Sequence, residues 1–388
     1  MKRIQSIDFV RGLVMVIMAL DHVRDFLHVH SIDQSPTDLA TTTPVLFFTR
    51  WITHLCAPTF VFLAGTSAYL SLKNQGNISE SRKFMVQRGF WLILLEFTGV
   101  NFGLWFDLGF HQFLFQVIAA IGFGFVLLGL MLRWPVRTIG FIGLSIVFLH
   151  NLLPLVPFAE GSVLKTILTP FFAPTAFPIT PKTIFIMGYP PIPWLGVMLL
   201  GFWAGQLFEL PEEKRKGVFL KIGAGALLLF AVLRTINIYG DPSDWSFQKN
   251  AIFTTLSFLN VTKYPPSLLF CLITLGILCL KLAFAEQAQN RISRILSVYG
   301  RVPLFYFLVH FYIIHLLMIA ILFFQGFHWA EMDFASGNFG RPKGIDSGVG
   351  LGAVYLIWVG VVVALYPICK WYGVYKMEHK ERWWLRYL

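Results

Sequence analysis

The chain has 388 residues, of which 56% are hydrophobic and 13% charged, about half the charged share of an ordinary soluble domain. A mean hydropathy of +0.67 and repeated apolar runs exclude a water-soluble globular protein and point to a bilayer. The net charge of +11 calls for no nucleic-acid partner, because basic loop residues that set membrane topology and meet anionic lipid account for it.

The amino terminus places Lys2 and Arg3 ahead of an apolar stretch. That stretch carries Asp8, Arg11, Asp21 and His22 and lacks a small-residue cleavage site, so it is expected to be a retained first helix. Ten spans follow in chain order, at residues 8–27, 51–72, 89–108, 110–132, 136–156, 192–208, 218–238, 266–284, 303–324 and 349–369. With the first residue inside, 22 of the 31 Lys and Arg fall on inner segments, which places both termini on the cytoplasmic side.

The expected fold class is therefore all-α: a polytopic membrane helix bundle of about ten transmembrane helices, both termini cytoplasmic. One transmembrane domain is expected over 1–388, with 370–388 as a cytoplasmic interfacial tail in which Trp371, Trp383 and Trp384 sit among basic residues. The expected location is the inner, cytoplasmic cell membrane. Outer loops at 28–50, 157–189, 239–265 and 325–348 are long, as functional loops often are. The four cysteines, Cys56, Cys271, Cys279 and Cys369, have no metal-ligand spacing and are expected to be apolar fillers.

Ionisable side chains inside a membrane are costly and mark candidate functional positions. Asp8 and Arg11 share a face of the first helix, as a structural ion pair or as an anion-binding corner; Gly12 beside them allows close backbone approach. Asp21, Asp25 and His28 form one stripe at the other end, and His22 with Asp25 is an i,i+3 pair. A histidine held by a carboxylate is a general-base candidate. Arg50 and His54 share a face of the second span and start at the level where the first helix ends, so they are expected near Asp21, His22 and Asp25, with a kink at Pro58. Glu96, His111, His150, His310 and His315 complete the set, and several histidines at one level would form a polar chamber in the outer half. The chain has no HExxH, CxxC, P-loop or GxSxG motif.

Several of these residues fall in a recognisable pattern. Arg3, Asp8 and Arg11-Gly12, followed by an apolar run into Met18-Ala-Leu-Asp21-His22, resemble the heparan-alpha-glucosaminide N-acetyltransferase family, with the bacterial membrane proteins grouped with it. Ala57-Pro58-Thr-Phe-Val-Phe-Leu-Ala-Gly65 is similar to its second helix, Arg88-Gly89 to the start of its third, and Gly300-Arg301-Val-Pro-Leu-Phe-Tyr306 with His310 to a late helix of the wider membrane acyltransferases. The resemblance implies an enzyme that takes an acetyl or other acyl group from cytoplasmic acyl-CoA, as co-substrate, and passes it to an extracytoplasmic sugar or glycan acceptor. Arg3, Asp8, Arg11, Arg88 and His310 are expected on the CoA side, and the catalytic set read from the residues themselves is His22, Asp21, Asp25, Arg50 and His54. His22 would be the base, oriented by Asp21 or Asp25, with Arg50 and His54 on the oxyanion or acceptor. The Trp-x-Gly that follows the family's catalytic histidine is absent after His28 and His30, so the base is left among His22, His28, His30 and His54. Expected partners are the lipid bilayer, acyl-CoA and the glycan acceptor, with homodimerisation open. The rival readings are a proton-coupled transporter using Asp21, Glu96 and His310, and a non-catalytic membrane scaffold.

Overall fold

The computed structural model describes residues 4–159, 161–288 and 290–387. The chain is a bundle of helices joined by short turns on one side and longer, partly folded loops on the other. Helix α1 (Gln5–Leu27) lies at its centre, against α2 (Pro44–Thr53), α3 (Cys56–Gln75), α12 (Leu268–Ala285), α13 (Arg291–Arg301), α14 (Pro303–Phe324) and α15 (Leu351–Glu378). Fifteen of the 23 residues of α1 are buried, as expected of a helix with neighbours on most of its sides.

Local chemistry marks the helix ends. Thr43 accepts the Leu46 amide at 3.2 Å while Pro44 opens α2 at a position whose N–H would be unpaired in any case. Gly76, at φ 67°, ends α3 in a left-handed turn, and Asn77 then accepts the Ser79 and Glu80 amides to start α4 (Ile78–Leu95). A π-helical turn at Glu96–Val100 carries α4 into α5 (Asn101–Trp105). Buried Glu96 accepts the Ala119 amide at 2.8 Å, so its carboxylate caps the neighbouring α6 (Val117–Met131), whose own cap residue Gln116 makes no such bond.

The remaining helices are α7 (Val136–Leu149), α8 (Val163–Phe172), α9 (Pro191–Ala204), α10 (Glu212–Ile236) and α11 (Ala251–Leu259). Among the described residues, seven helical segments are long and apolar enough to cross a membrane: Pro44–Gln75, Val136–Leu155, Pro191–Glu209, Glu212–Ile236, Leu268–Ala285, Pro303–Phe324 and Leu351–Glu378. The other three expected spans are helical too, in α1, in α4 with α5, and in α6, but α1 is rich in charge and α6 has only 15 residues. Helices α10 and α15 leave most of their apolar surface uncovered, as lipid-facing helices do. The all-α polytopic class therefore stands.

Three local expectations change. The fourth span was expected from residue 110, yet the helix starts at Val117. Ahead of it, Gln112–Phe115 forms strand β1, whose alternating aromatic side chains suit a sheet. It pairs in parallel with β3 (Thr183–Met187), which pairs antiparallel with β2 (Thr175–Thr180), so the long 157–189 loop supplies two strands of a small three-stranded sheet and β1 the third. The last helix continues past residue 369 to Glu378, so the first part of the expected tail is helical. The helical break expected at Pro58 falls instead at His54–Leu55, between α2 and α3, and Pro58 sits in the first turn of α3, where its missing N–H costs nothing.

One crossing places the centre. A Cβ on Gly12 would lie 1.8 Å from the Leu296 carbonyl oxygen, and one on Gly300 would lie 1.8 Å from that of Asp8. Helices α1 and α13 therefore touch backbone to backbone, which only glycine permits.

Candidate functional site

Two clefts open at opposite ends of α1. The first, about 330 Å³, is lined by Arg11, Arg88, Arg301 and Lys376 together with Ser67 and Ser71, and its deeper wall is apolar, with Met15, Phe60, Ile118 and Phe307. Arg11 donates to Ser67 Oγ at 2.9 Å, which ties α1 to α3 at the mouth. The guanidinium of Arg88 lies 5.9 Å from the ring centres of both Phe84 and Phe125. Four cations around one apolar slot give the cleft a positive mouth and an apolar interior.

The second cleft, about 420 Å³, lies at the other end of α1 and is predominantly polar, lined by Arg24, Asp25, Arg50, His54, Lys263 and Tyr264 among others. Asp21 organises this end. It accepts from Arg24 at 2.9 Å and from Arg50 at 2.5 Å, and Arg24 also reaches Asp25 at 2.6 Å. Arg50 further donates to Thr53 Oγ1 at 3.0 Å. The Arg50 contact predicted from helix level is thus present, made by an arginine one turn before the α2–α3 break. Buried His54 packs its ring edge on Phe270, and its Nδ1 has no hydrogen-bond partner among the described residues.

Between the clefts stands a histidine pair. His22 Nδ1 lies 2.5 Å from His310 Nε2. His310 Nδ1 faces the Tyr306 carbonyl oxygen at 3.1 Å, so that nitrogen carries the proton. A neutral His310 then accepts at Nε2, His22 donates from Nδ1, and the lone pair of His22 sits on its Nε2. His22 is stacked on Phe311, with ring centres 4.4 Å apart, while His310 is fully buried. Among the described residues His22 has no hydrogen bond to a carboxylate, Asp21 and Asp25 both being engaged by arginine; a second histidine orients it instead.

The selected residues separate as follows. Arg11 and Arg88 line the first cleft; Asp25, Arg50 and His54 line the second; His22 and His310 meet between them. Asp8 is buried at the α1–α13 crossing and is not among the residues lining the first cleft. Arg3 lies outside the described residues. His28 and His30 sit in the loop beyond α1, where the His28 carbonyl accepts from Arg341 at 2.9 Å and exposed His30 stands 3.8 Å from Asp33. The outer polar chamber of converging histidines does not form: His111 turns to Asp107, His150 to the Ile146 carbonyl and His315 to the Gly103 carbonyl. Arg301 and Lys376 of the first cleft, and Lys263 and Tyr264 of the second, were not selected from the sequence. Arg301 stood inside a noted motif, but Lys376 reads as part of a basic tail and Lys263 as an ordinary loop lysine.

The helical membrane bundle thus sets a basic cleft and a polar cleft at opposite ends of the helix that carries His22. The model of the heparan-alpha-glucosaminide N-acetyltransferase catalytic domain matches residues 3–240, and the chain belongs to that family of membrane acetyltransferases. The match includes α1 with His22 and ends before Lys263, Arg301 and His310. No curated protein matches the chain.

Proposed function

We propose that the protein transfers an acyl group, acetyl in the family's form, from acyl-CoA to a hydroxyl or amine of an extracytoplasmic carbohydrate. In this reading all ten spans cross the cytoplasmic membrane, both termini are cytoplasmic, and the four-cation cleft faces the cytoplasm. The observation that carries it is the His22–His310 pair, placed between a cationic slot and a polar cleft.

Arg11, Arg88, Arg301 and Lys376 would hold the CoA phosphates, and the apolar wall ending at Met15 and Phe307 would take the pantetheine arm. Seven residues of α1 separate Met15 from His22, roughly 10 Å at helical rise. The thioester would therefore reach the pair from below while the acceptor enters from above. His22 Nε2 takes the proton of the acceptor O–H or N–H as that atom attacks the thioester carbon. The C–S bond breaks, and the CoA thiolate leaves with the proton that His22 collected. His310 fixes the tautomer. Arg50, anchored by Asp21, and His54 stand on the acceptor side to stabilise charge on the carbonyl oxygen.

The test is acyl-CoA binding and acyl transfer by the purified protein, wild type beside His22→Ala and Arg11→Ala. Binding that Arg11→Ala weakens and His22→Ala keeps, with transfer lost in both, is the expected result. A protein that binds no acyl-CoA is not a transferase of this kind.

A further inference from the structure

The second cleft contains a cation that the transfer step leaves unused. Lys263 lies in the loop between α11 and α12, yet it is only 8% exposed. Its position is built. Asp241 accepts from the Thr262 amide at 2.8 Å, from Thr262 Oγ1 at 2.9 Å and from Ser267 Oγ at 2.6 Å. Buried Arg234 spans the carbonyls of Ser243, Ser257, Phe258 and Asn260 at 2.7–3.0 Å. The loop that presents Lys263 is therefore tied on both sides.

Lys263 faces aromatic rings where a buried lysine would ordinarily face a carboxylate. Its Nζ stands 5.0 Å from the ring centre of Tyr264 and 5.9 Å from that of Tyr189, and among the described residues it makes no ion pair. The carboxylates of this end, Asp21 and Asp25, are taken by Arg24 and Arg50. Among the charged side chains that line the cleft or pair with its lining, three cations, Arg24, Arg50 and Lys263, stand against two carboxylates, Asp21 and Asp25, while Asp241 is held by Thr262 and Ser267 and does not line it. Burying a cation without a counter-charge is expensive, so such a cleft is complementary to an anion. Tyr264 is 36% exposed in the same wall, and its hydroxyl donates to the Tyr189 hydroxyl at 3.2 Å, which holds its ring in place as a stacking surface.

We propose that the acceptor is an acidic sugar unit, whose carboxylate or phosphate pairs with Lys263 while its ring lies on Tyr264. This rests on the transferase reading and narrows it from carbohydrates in general to anionic ones. The same charge could come from an anionic lipid head group, so the test separates the two.

Purified full-length protein in neutral detergent is titrated with D-glucuronate, D-glucose 6-phosphate and D-glucose by ligand-observed NMR, with acyl-CoA binding measured on the same samples. Both acids should bind and glucose should not at matched concentration. Lys263→Met should weaken the acids about tenfold, the worth of one charge-assisted hydrogen bond, and Lys263→Arg should restore binding. Thermal unfolding of each variant confirms that it is folded. Equal binding of glucose, absence of binding by either acid, or acid binding untouched in folded Lys263→Met overturns the proposal. Loss of acid binding in phosphatidylglycerol nanodiscs but not in phosphatidylcholine ones assigns the cleft to a lipid head group and overturns it as well. Acid binding without any acyl-CoA binding sinks the transferase reading and leaves the anion site standing.

Discussion

His22 of α1 and His310 of α14 meet nitrogen to nitrogen at 2.5 Å, although 288 residues separate them in the chain. The bond from His310 to the Tyr306 carbonyl sets the direction of the pair and leaves His22 Nε2 as the free base. Replacing each partner tests that order. His22→Ala should reduce acyl transfer by about 10²–10⁴-fold, the range of a lost general base. His310→Ala removes only the orienting partner and should cost less, with an altered pH profile. Initial rates across pH 5–9 read both, and equal losses with identical profiles would contradict the assigned direction.

Arg11 and Arg301 approach the same cleft from α1 and from the end of α13. Each single alanine variant should weaken acyl-CoA binding about tenfold, and the loss should shrink at high salt as the remaining charges are screened. Ser67→Ala, which removes the Arg11 anchor at 2.9 Å, should weaken binding less than Arg11→Ala. Equilibrium binding at two salt concentrations decides this.

Asp21 carries the load of two arginines. Asp21→Asn leaves buried positive charge without a partner and should destabilise the protein by about 3–5 kcal/mol. The double variant Asp21→Asn with Arg50→Gln should recover part of that loss. Thermal unfolding in detergent follows both, and strict additivity would mean that the pair is not coupled.

At the α1–α13 crossing, Gly300→Ala pushes a methyl group into the Asp8 carbonyl and should cost about 1–3 kcal/mol by overpacking. Gly217→Ala serves as control, since a Cβ there meets nothing within 4 Å. The two melting temperatures should move apart.

His28 ends α1 where burial, with Arg24 nearby, holds its imidazole below the usual value near 6.5. The folded chain therefore binds a proton less readily than the unfolded one. This contribution to stability is complete above about pH 6.5 and is lost as pH falls from there through the folded value. Amide exchange at Val29 and Val349, whose N–H groups bond across this junction at 3.1 and 2.7 Å, should quicken on acidification, and His28→Gln should flatten that response.

Much of the candidate site was legible because its signals are local. Asp21, Arg24 and Asp25 share one turn of helix, and Arg50 with His54 stands out as charge at the edge of an apolar run. The ends of the helices were less legible: the second span was drawn over 51–72, although the helices there start at Pro44 and end at Gln75, and β1 hid inside an apolar run that reads equally well as helix. Lys263 and Lys376 were not legible, because a lysine in a loop or at a helix end looks the same whether it faces water or the wall of a cleft.

The sequence by itself determined that this chain is a polytopic helical membrane protein and that the few ionisable groups of its first helix are the ones to examine. Hydropathy and charge are additive along the chain and need no partner to be read. Only the tertiary structure decided that His22 turns to His310 and away from Asp25, and that four cations from α1, α4, α13 and α15 surround one slot. Those choices follow from which helix faces meet, set by close contacts such as Gly12 against Leu296. Helical periodicity specifies neighbours three and four residues apart, and says nothing about neighbours on another helix.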